Sequence, residues 1–387
     1  MKQLISSVLM LFLSSILFAT PDPLVTLQAD ALGTPYTVDF KVHATFSEPV
    51  TGFGKSAVNV DNAIVVSVTG SKTQYVITFS AKTPGVINII IPANVVRSLS
   101  TGTTNRASNK LVIMALNPIS NPSSNFDLSQ WILTLPIPLG AIGGSVSISN
   151  STLVGYPNLN TGYSNPPYFF TDHRTGAMNF FAPLNGATTP GSVNPRSGLI
   201  EQVQLPGLDT HWLLSSFTSN VLSASLLVSQ VPPSKKIVIG TIRDKGTTDA
   251  FGQPVAKKPV IKVFYDLNAL DPNGQSCNGC VYVQVRPNPA QNLYLKAVTL
   301  LRDTPLNKLF QYRIKLLRDG TLTVKINDVS ATYLLNTSKD NTVGWGAQEM
   351  FFTAGVYIFD NGTSNSQGGA ANFFSLTVKH SGCPLNT

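Results

Sequence analysis

The chain has 387 residues, of which 12% are charged, and 27 Lys and Arg against 19 Asp and Glu give a formal net charge of +8. That length is more than one domain fills, and the abundance of Ser, Thr, Asn, Gly and Pro between short β-branched runs indicates an all-β, turn-rich protein. A net positive charge predicts a polyanionic partner, but the lysines and arginines are scattered, with no basic stripe and no nucleic-acid motif, which argues against nucleic acid.

The first twenty residues, MKQLISSVLMLFLSSILFAT, carry a lysine at position 2, an apolar run from Leu4 to Phe18 and a small residue at Ala19. This is the layout of a secretory signal peptide, residues 1–20, cleaved near Ala19 or Thr20. The run is short for a bilayer span and no later segment is continuously apolar, so a secreted, extracellular protein without a membrane span is expected.

Residues 22–115 alternate in short strands such as TVDFKVHATF, AIVVSVTG, QYVITFSA and VINIIIPANVV, with turn clusters at the spacing of a β-sandwich. His43 alternates with Lys41 and Thr45 and reads as an exposed strand residue. Residues 116–125, LNPISNPSSN, are a linker by composition. Residues 126–380 are again rich in strands, among them QWILTLPI, KIVIGTI, PVIKVFYDL and MFFTAGVYIF, and no long segment has a helical period. A large two-sheet sandwich of the jelly-roll kind follows, and the concave face of such a curved sheet is a natural groove for an extended polymer.

Cys277 and Cys280 stand in SCNGC without a surrounding βαβ pattern or a second CxxC, so a loop-stapling disulfide is expected rather than a redox or zinc site. Cys383 is then left free or paired between chains. Asn150, Asn336 and Asn361 open sequons that would carry glycans in a eukaryotic host. No metal-ligand cluster is visible in the sequence.

HATFSEPVTGF, followed by VNVDNAIVVSVTG and PGVINIIIPANVV, resembles the bacterial-type Ig-like modules appended to large secreted and surface proteins. That resemblance implies a spacer or weak adhesion module and locates no catalytic residue. FDLSQWILTLPIP, YFFTDHRTGAMNFFAPLNGATTPGSVNPRSGLIEQ, LVSQVPPSKKIVIGTIR and MFFTAGVYIFDNG, in that order, resemble the alginate lyase family known as polysaccharide lyase family seven. The implied fold is a β-jelly roll with a long substrate groove, and the implied partner is an acidic polysaccharide, bound by a monomer with no cofactor.

That family's chemistry uses three strand motifs. Arg-Ser/Thr-Glu-Leu-Arg-Glu stands here as RSGLIE, with Arg196, Ser197, Leu199 and Glu201 in agreement and Gly198 and Ile200 replacing a glutamate and an arginine. In place of Gln-Ile-His the chain has Thr241, Ile242 and Arg243. Tyr-Phe-Lys-Ala-Gly-Val-Tyr stands as Phe351 to Tyr357, with Phe351 and Thr353 replacing the first tyrosine and the lysine. Period two puts Arg196, Gly198 and Ile200 on one face of their strand, with Ser197, Leu199 and Glu201 on the other. By the same count Thr241 and Arg243 share a face, as do Phe351, Thr353, Gly355 and Tyr357, so three adjacent strands would aim Arg196, Thr241, Arg243 and Tyr357 at one groove.

A polyuronate lyase removes the proton on C5, beside the sugar carboxylate, and expels the oxygen on C4. The carboxylate opposes the developing carbanion, and an arginine fork neutralises it best. Arg196 matches the family's neutralising arginine. The family's histidine is absent, leaving Tyr357 to act as both base and acid when the two groups leave from the same side; an arginine beside a phenol favours the phenolate, which gives Arg243 a role. The expected catalytic set is therefore Tyr357, Arg196 and Arg243, and the expected substrate-binding set is Thr241, Thr353 and Glu201. The alternative is a non-catalytic acidic-polysaccharide-binding protein on a decayed lyase fold, since losing a general base costs about a hundredfold to ten-thousandfold.

Overall fold

Short β-branched and aromatic runs, broken by Gly, Pro and by Asn62, Asn94, Asn278 and Asn327 at positive φ, fold as strands. The computed structural model describes residues 22–140, 144–156, 161–189, 192–203, 211–246, 259–289, 294–340 and 344–382. The expected signal peptide and Cys383 lie outside the described residues. Among the described residues no helix is long and apolar enough to cross a membrane.

The N-terminal region builds two four-stranded sheets, in the order Val25–Ala29, Phe40–Phe46, Gln74–Ala81, Ala63–Ser71 and Gly33–Pro35, Leu111–Leu116, Gly85–Ile90, Asn59–Val60. Their facing sides enclose Val42, Ile77, Phe79, Ile87 and Ile89, all fully buried. His43 is half-buried and lies 3.4 Å from Asp30.

The segment that composition marks as a linker is tied down at both ends. Leu116 ends a strand of the first region yet is buried in the core of the second. Pro122–Asn125 forms a single helical turn, and Asn125 Nδ2 donates to the carbonyls of Asn117 at 2.9 Å and Gly176 at 3.1 Å.

The second region is a jelly roll of an eight-stranded and a seven-stranded antiparallel sheet. The eight-stranded sheet runs Ser145–Ile148, Trp131–Pro138, Arg196–Glu201, Met350–Ile358, Lys236–Asp244, Pro259–Asp266, Cys280–Val285, Val298–Leu301. Leu133, Leu199, Ile242 and Phe352 from this sheet meet Phe180, Leu222, Tyr312 and Phe373 from the other, and Trp131, Trp212 and Trp345 are buried in the same core. Burying such side chains contributes about 1.5–3 kcal/mol each, so the interior between the sheets dominates the stability of the region.

The N-terminal sandwich rests on the seven-stranded sheet. Gly33 packs so closely there that a Cβ would fall 1.9 Å from the Phe374 carbonyl oxygen, and Gln28 Nε2 donates to Asp328 at 3.1 Å. Cys277 and Cys280 form the expected disulfide, with an S–S distance of 2.02 Å, at the start of the Cys280–Val285 strand.

Candidate active site

The three strands that carry the family motifs are neighbours in the eight-stranded sheet, and their register brings the motif residues into rows. Arg196 pairs with Tyr357, and Tyr357 with Val238. One step along, Gly198 pairs with Gly355; beyond that Ile200, Thr353, Thr241 and Lys262 form a continuous row across four strands. Ser197, Leu199, Ile242, Phe352, Ala354 and Val356 are buried on the inner side.

The middle row is bare backbone. Gly355 has φ +133°, and a Cβ there would stand 2.5 Å from Gly198 Cα, so the paired backbones leave no room for side chains. A cavity of about 220 Å³ opens over this floor, lined by Arg196, Thr241, Arg243, Lys262, Thr353 and Tyr357 among others. Gly240 serves the inner side: a Cβ there would meet the Tyr312 ring at 2.8 Å, while the Tyr312 hydroxyl donates to the Ile239 carbonyl at 3.2 Å. The pairing slips between Val238 and Gly240, and this bulge brings Val238 round to the cavity beside Thr241 and Arg243.

The cavity is cationic and largely withdrawn from water. The Arg196 guanidinium stacks 4.8 Å above the Tyr357 ring, and its Nε is buried without a hydrogen-bond partner. Burial, then the charge of Arg243, pushes the Arg196 pKa down to about 10. Burial likewise lowers that of Arg243. Lys262 is pushed down to about 8, first by burial and then by Arg243 and Arg286. Arg286, 3% exposed, donates from Nη2 to the Tyr294 hydroxyl at 3.2 Å and has Nε and Nη1 buried without partners. A buried guanidinium donor without an acceptor is costly, and at Arg196, which lines the cavity, an anionic ligand supplies the acceptor its Nε lacks.

The structure brings together Arg196, Thr241, Arg243, Thr353 and Tyr357, as strand alternation predicts. The Thr241 and Thr353 hydroxyls lie 2.7 Å apart. Glu201 does not join them, and the expectation that it binds substrate is corrected. Its side chain points between the sheets, fully buried, where it accepts from Trp212 Nε1 and the Phe352 amide at 2.9 Å each and meets His380 Nε2 at 2.7 Å. The reason is the period of two, which sets Glu201 opposite Arg196 on the strand. No histidine lines the cavity among the described residues.

Sequence reasoning missed Lys262, Arg286 and Tyr294. A signal existed for the first: Lys262 interrupts the strand PVIKVFYD, whose neighbours Ile261 and Val263 are fully buried, and a lone lysine in such a strand marks the face turned from the core. Tyr294 lies outside the strands, and nothing in its local sequence announces its partners.

A jelly roll with a desolvated cationic cavity on the outer face of one sheet defines a class of protein built to hold an acidic polymer. Residues 126–380 match the family described as alginate lyase, and the chain belongs to that family. An alginate lyase from Pseudomonas aeruginosa is 30% identical, with a TM-score of 0.53 over 66% of this chain and 99% of that one. The family 7 alginate lyase A1-II′, solved in complex with product, is 28% identical, with a TM-score of 0.51 over 68% of this chain and all of that one. An alginate lyase from Klebsiella pneumoniae, 21% identical with a TM-score of 0.53, shares the fold. No curated protein sequence matches the chain.

Proposed function

We propose that this protein is a secreted polysaccharide lyase that cleaves a uronic-acid polymer by β-elimination, with alginate the first candidate and glucuronan or another polyuronate the next. The observation that carries the reading is the in-register pair of Arg196 and Tyr357 at one end of a cavity that also holds Arg243. Arg196 donates to the sugar carboxylate and offsets the charge that builds as C5 loses its proton. Tyr357, as phenolate, takes the C5 proton, the C5–H electrons form the C4=C5 double bond, the C4–O bond breaks, and the same hydroxyl gives the proton to the leaving oxygen. Arg243 adds a second cation near the same carboxylate, while Thr241 and Thr353 offer hydroxyls to the sugar.

A second reading, a non-catalytic binder of acidic polysaccharide, draws on the same cavity and on the loss of the family's glutamine and histidine at Thr241 and Arg243. An ultraviolet assay of the purified protein against a panel of polyuronates separates the two. Elimination creates a conjugated, absorbing double bond, and a wild type that binds a polyuronate without releasing such product is a binder. We read the N-terminal sandwich as an Ig-like spacer or weak adhesion module, and the protein as a monomer exported by its first twenty residues.

A further inference from the structure

Arg243 stands in the histidine position and, among the described residues, no histidine lines the cavity, so among these the candidates for a base besides Tyr357 are the other lining side chains. An arginine is a poor base because it holds its proton so tightly. Tyr357, under the Arg196 guanidinium, can serve as both base and acid only when the two groups leave from the same side, so departure from opposite sides needs a second group.

Lys262 has the placement. It pairs with Thr241, which points its side chain to the cavity side of the sheet. Its Nζ lies 5.9 Å from the Phe359 ring centroid, and the Tyr357 ring packs on that same ring at 5.2 Å, so amine and phenol flank one aromatic side chain. The ring of Tyr294 stands 4.9 Å away on another side. The charged groups acting on Lys262 are Arg243 from the adjoining strand and Arg286 from the end of the next. Lys236 shares the recess beyond Phe359. Among the described residues no carboxylate forms an ion pair with Lys262. Asp266, farther along the same strand, accepts from the Asn268 amide and side chain instead. A lysine withdrawn from water beside two guanidiniums is a lysine whose neutral form is favoured.

We propose that Lys262, as a neutral amine, is the base that removes the C5 proton, leaving Tyr357 the acid half of the elimination. The inference rests on the lyase reading. In the step, the Lys262 lone pair takes the C5 proton, the C–H pair becomes the C4=C5 double bond, the C4–O bond breaks and Tyr357 protonates the leaving oxygen. Loss of the ammonium proton to solvent and reprotonation of the phenolate restore both groups, and no oxidant or metal enters the balance.

The test uses the full chain with Lys262→Arg, which keeps the charge but cannot act as base, and Lys262→Ala. Lys262→Arg is expected to lower kcat by about a hundredfold to ten-thousandfold while changing polymer affinity by less than about tenfold. Wild-type kcat/KM should rise with pH through an apparent pKa near 8, because only the unprotonated amine works and burial beside two guanidiniums sets that value. Added ethylamine should restore part of the turnover of Lys262→Ala, a result that a purely structural lysine does not produce. Lys262→Arg turning over within about tenfold of wild type, or no amine rescue in a folded Lys262→Ala that still binds polymer, overturns the assignment and leaves the lyase reading standing. A wild type that releases no unsaturated product from any polyuronate overturns both.

Discussion

The three motif strands have two faces that compare differently with the lyase pattern their sequence resembles. On the inner face every residue of the family pattern is kept: Ser197, Leu199 and Glu201 on one strand, Ile242 on the second, and Phe352, Ala354 and Val356 on the third, all buried. On the cavity face Gly198, Ile200, Thr241, Arg243, Phe351 and Thr353 all depart from it, and Arg196, Gly355 and Tyr357 remain. Alternate residues of the same strands thus obey separate constraints. Packing density and a satisfied buried carboxylate hold the inner side in place, whereas the outer side answers only to what it binds and transforms. Departures confined to one face leave the packing of the fold intact, and both the lyase and the binder reading are compatible with that.

The sharpest break of the comparison comes from the hydroxyl of Tyr357. Tyr357→Phe should reduce product formation by about a hundredfold to ten-thousandfold with polymer affinity nearly intact, because the ring still packs under Arg196. An equal loss of binding would make Tyr357 a structural residue of the groove. On the inner face, Glu201→Ala should destabilise the fold by about 3–5 kcal/mol, since it strands the Trp212, Phe352 and His380 donors in the interior. Denaturant titration checks this, and a stability near wild type would show that the inner network is dispensable. Arg243→His, which returns the family's residue, should lower turnover about tenfold or less in a site that now depends on an arginine there. Recovery of activity instead would mean that the cavity face had decayed. The smallest effect is expected from deleting residues 22–115, whose sandwich meets the seven-stranded sheet while the cavity sits on the other. Activity on short oligosaccharides should stay within about twofold, provided Leu116 is retained to fill its place in the core.

Most of the architecture was legible because alternation of apolar residues survives translation into strands, and the motif order placed the right strands side by side. The same alternation predicts the meeting of Arg196, Thr241, Arg243 and Tyr357. It also contained the means to reject Glu201, which stands at odd spacing from Arg196; motif agreement outweighed parity there, and parity was the sounder guide. The bulge at Gly240 was hidden, since the Tyr312 ring that fills the space beside it comes from the facing sheet, seventy-odd residues away in sequence. Arg286 and Tyr294 were hidden because their proximity is made by a loop, not by local spacing, whereas Lys262 was signalled by its place in an apolar strand. The segment 116–125 reads as a linker because its composition is polar, yet Asn125 spends that polarity on internal hydrogen bonds.

The tryptophans carry a practical consequence. All three, Trp131, Trp212 and Trp345, are at most 2% exposed within the core, and none borders the cavity. Indole emission therefore reports on the interior alone: it shifts to the red when the sheets separate and water arrives, and stays quiet when a saccharide fills the groove. One fluorimeter trace can then certify that a groove variant is folded, independently of the ultraviolet signal of the reaction.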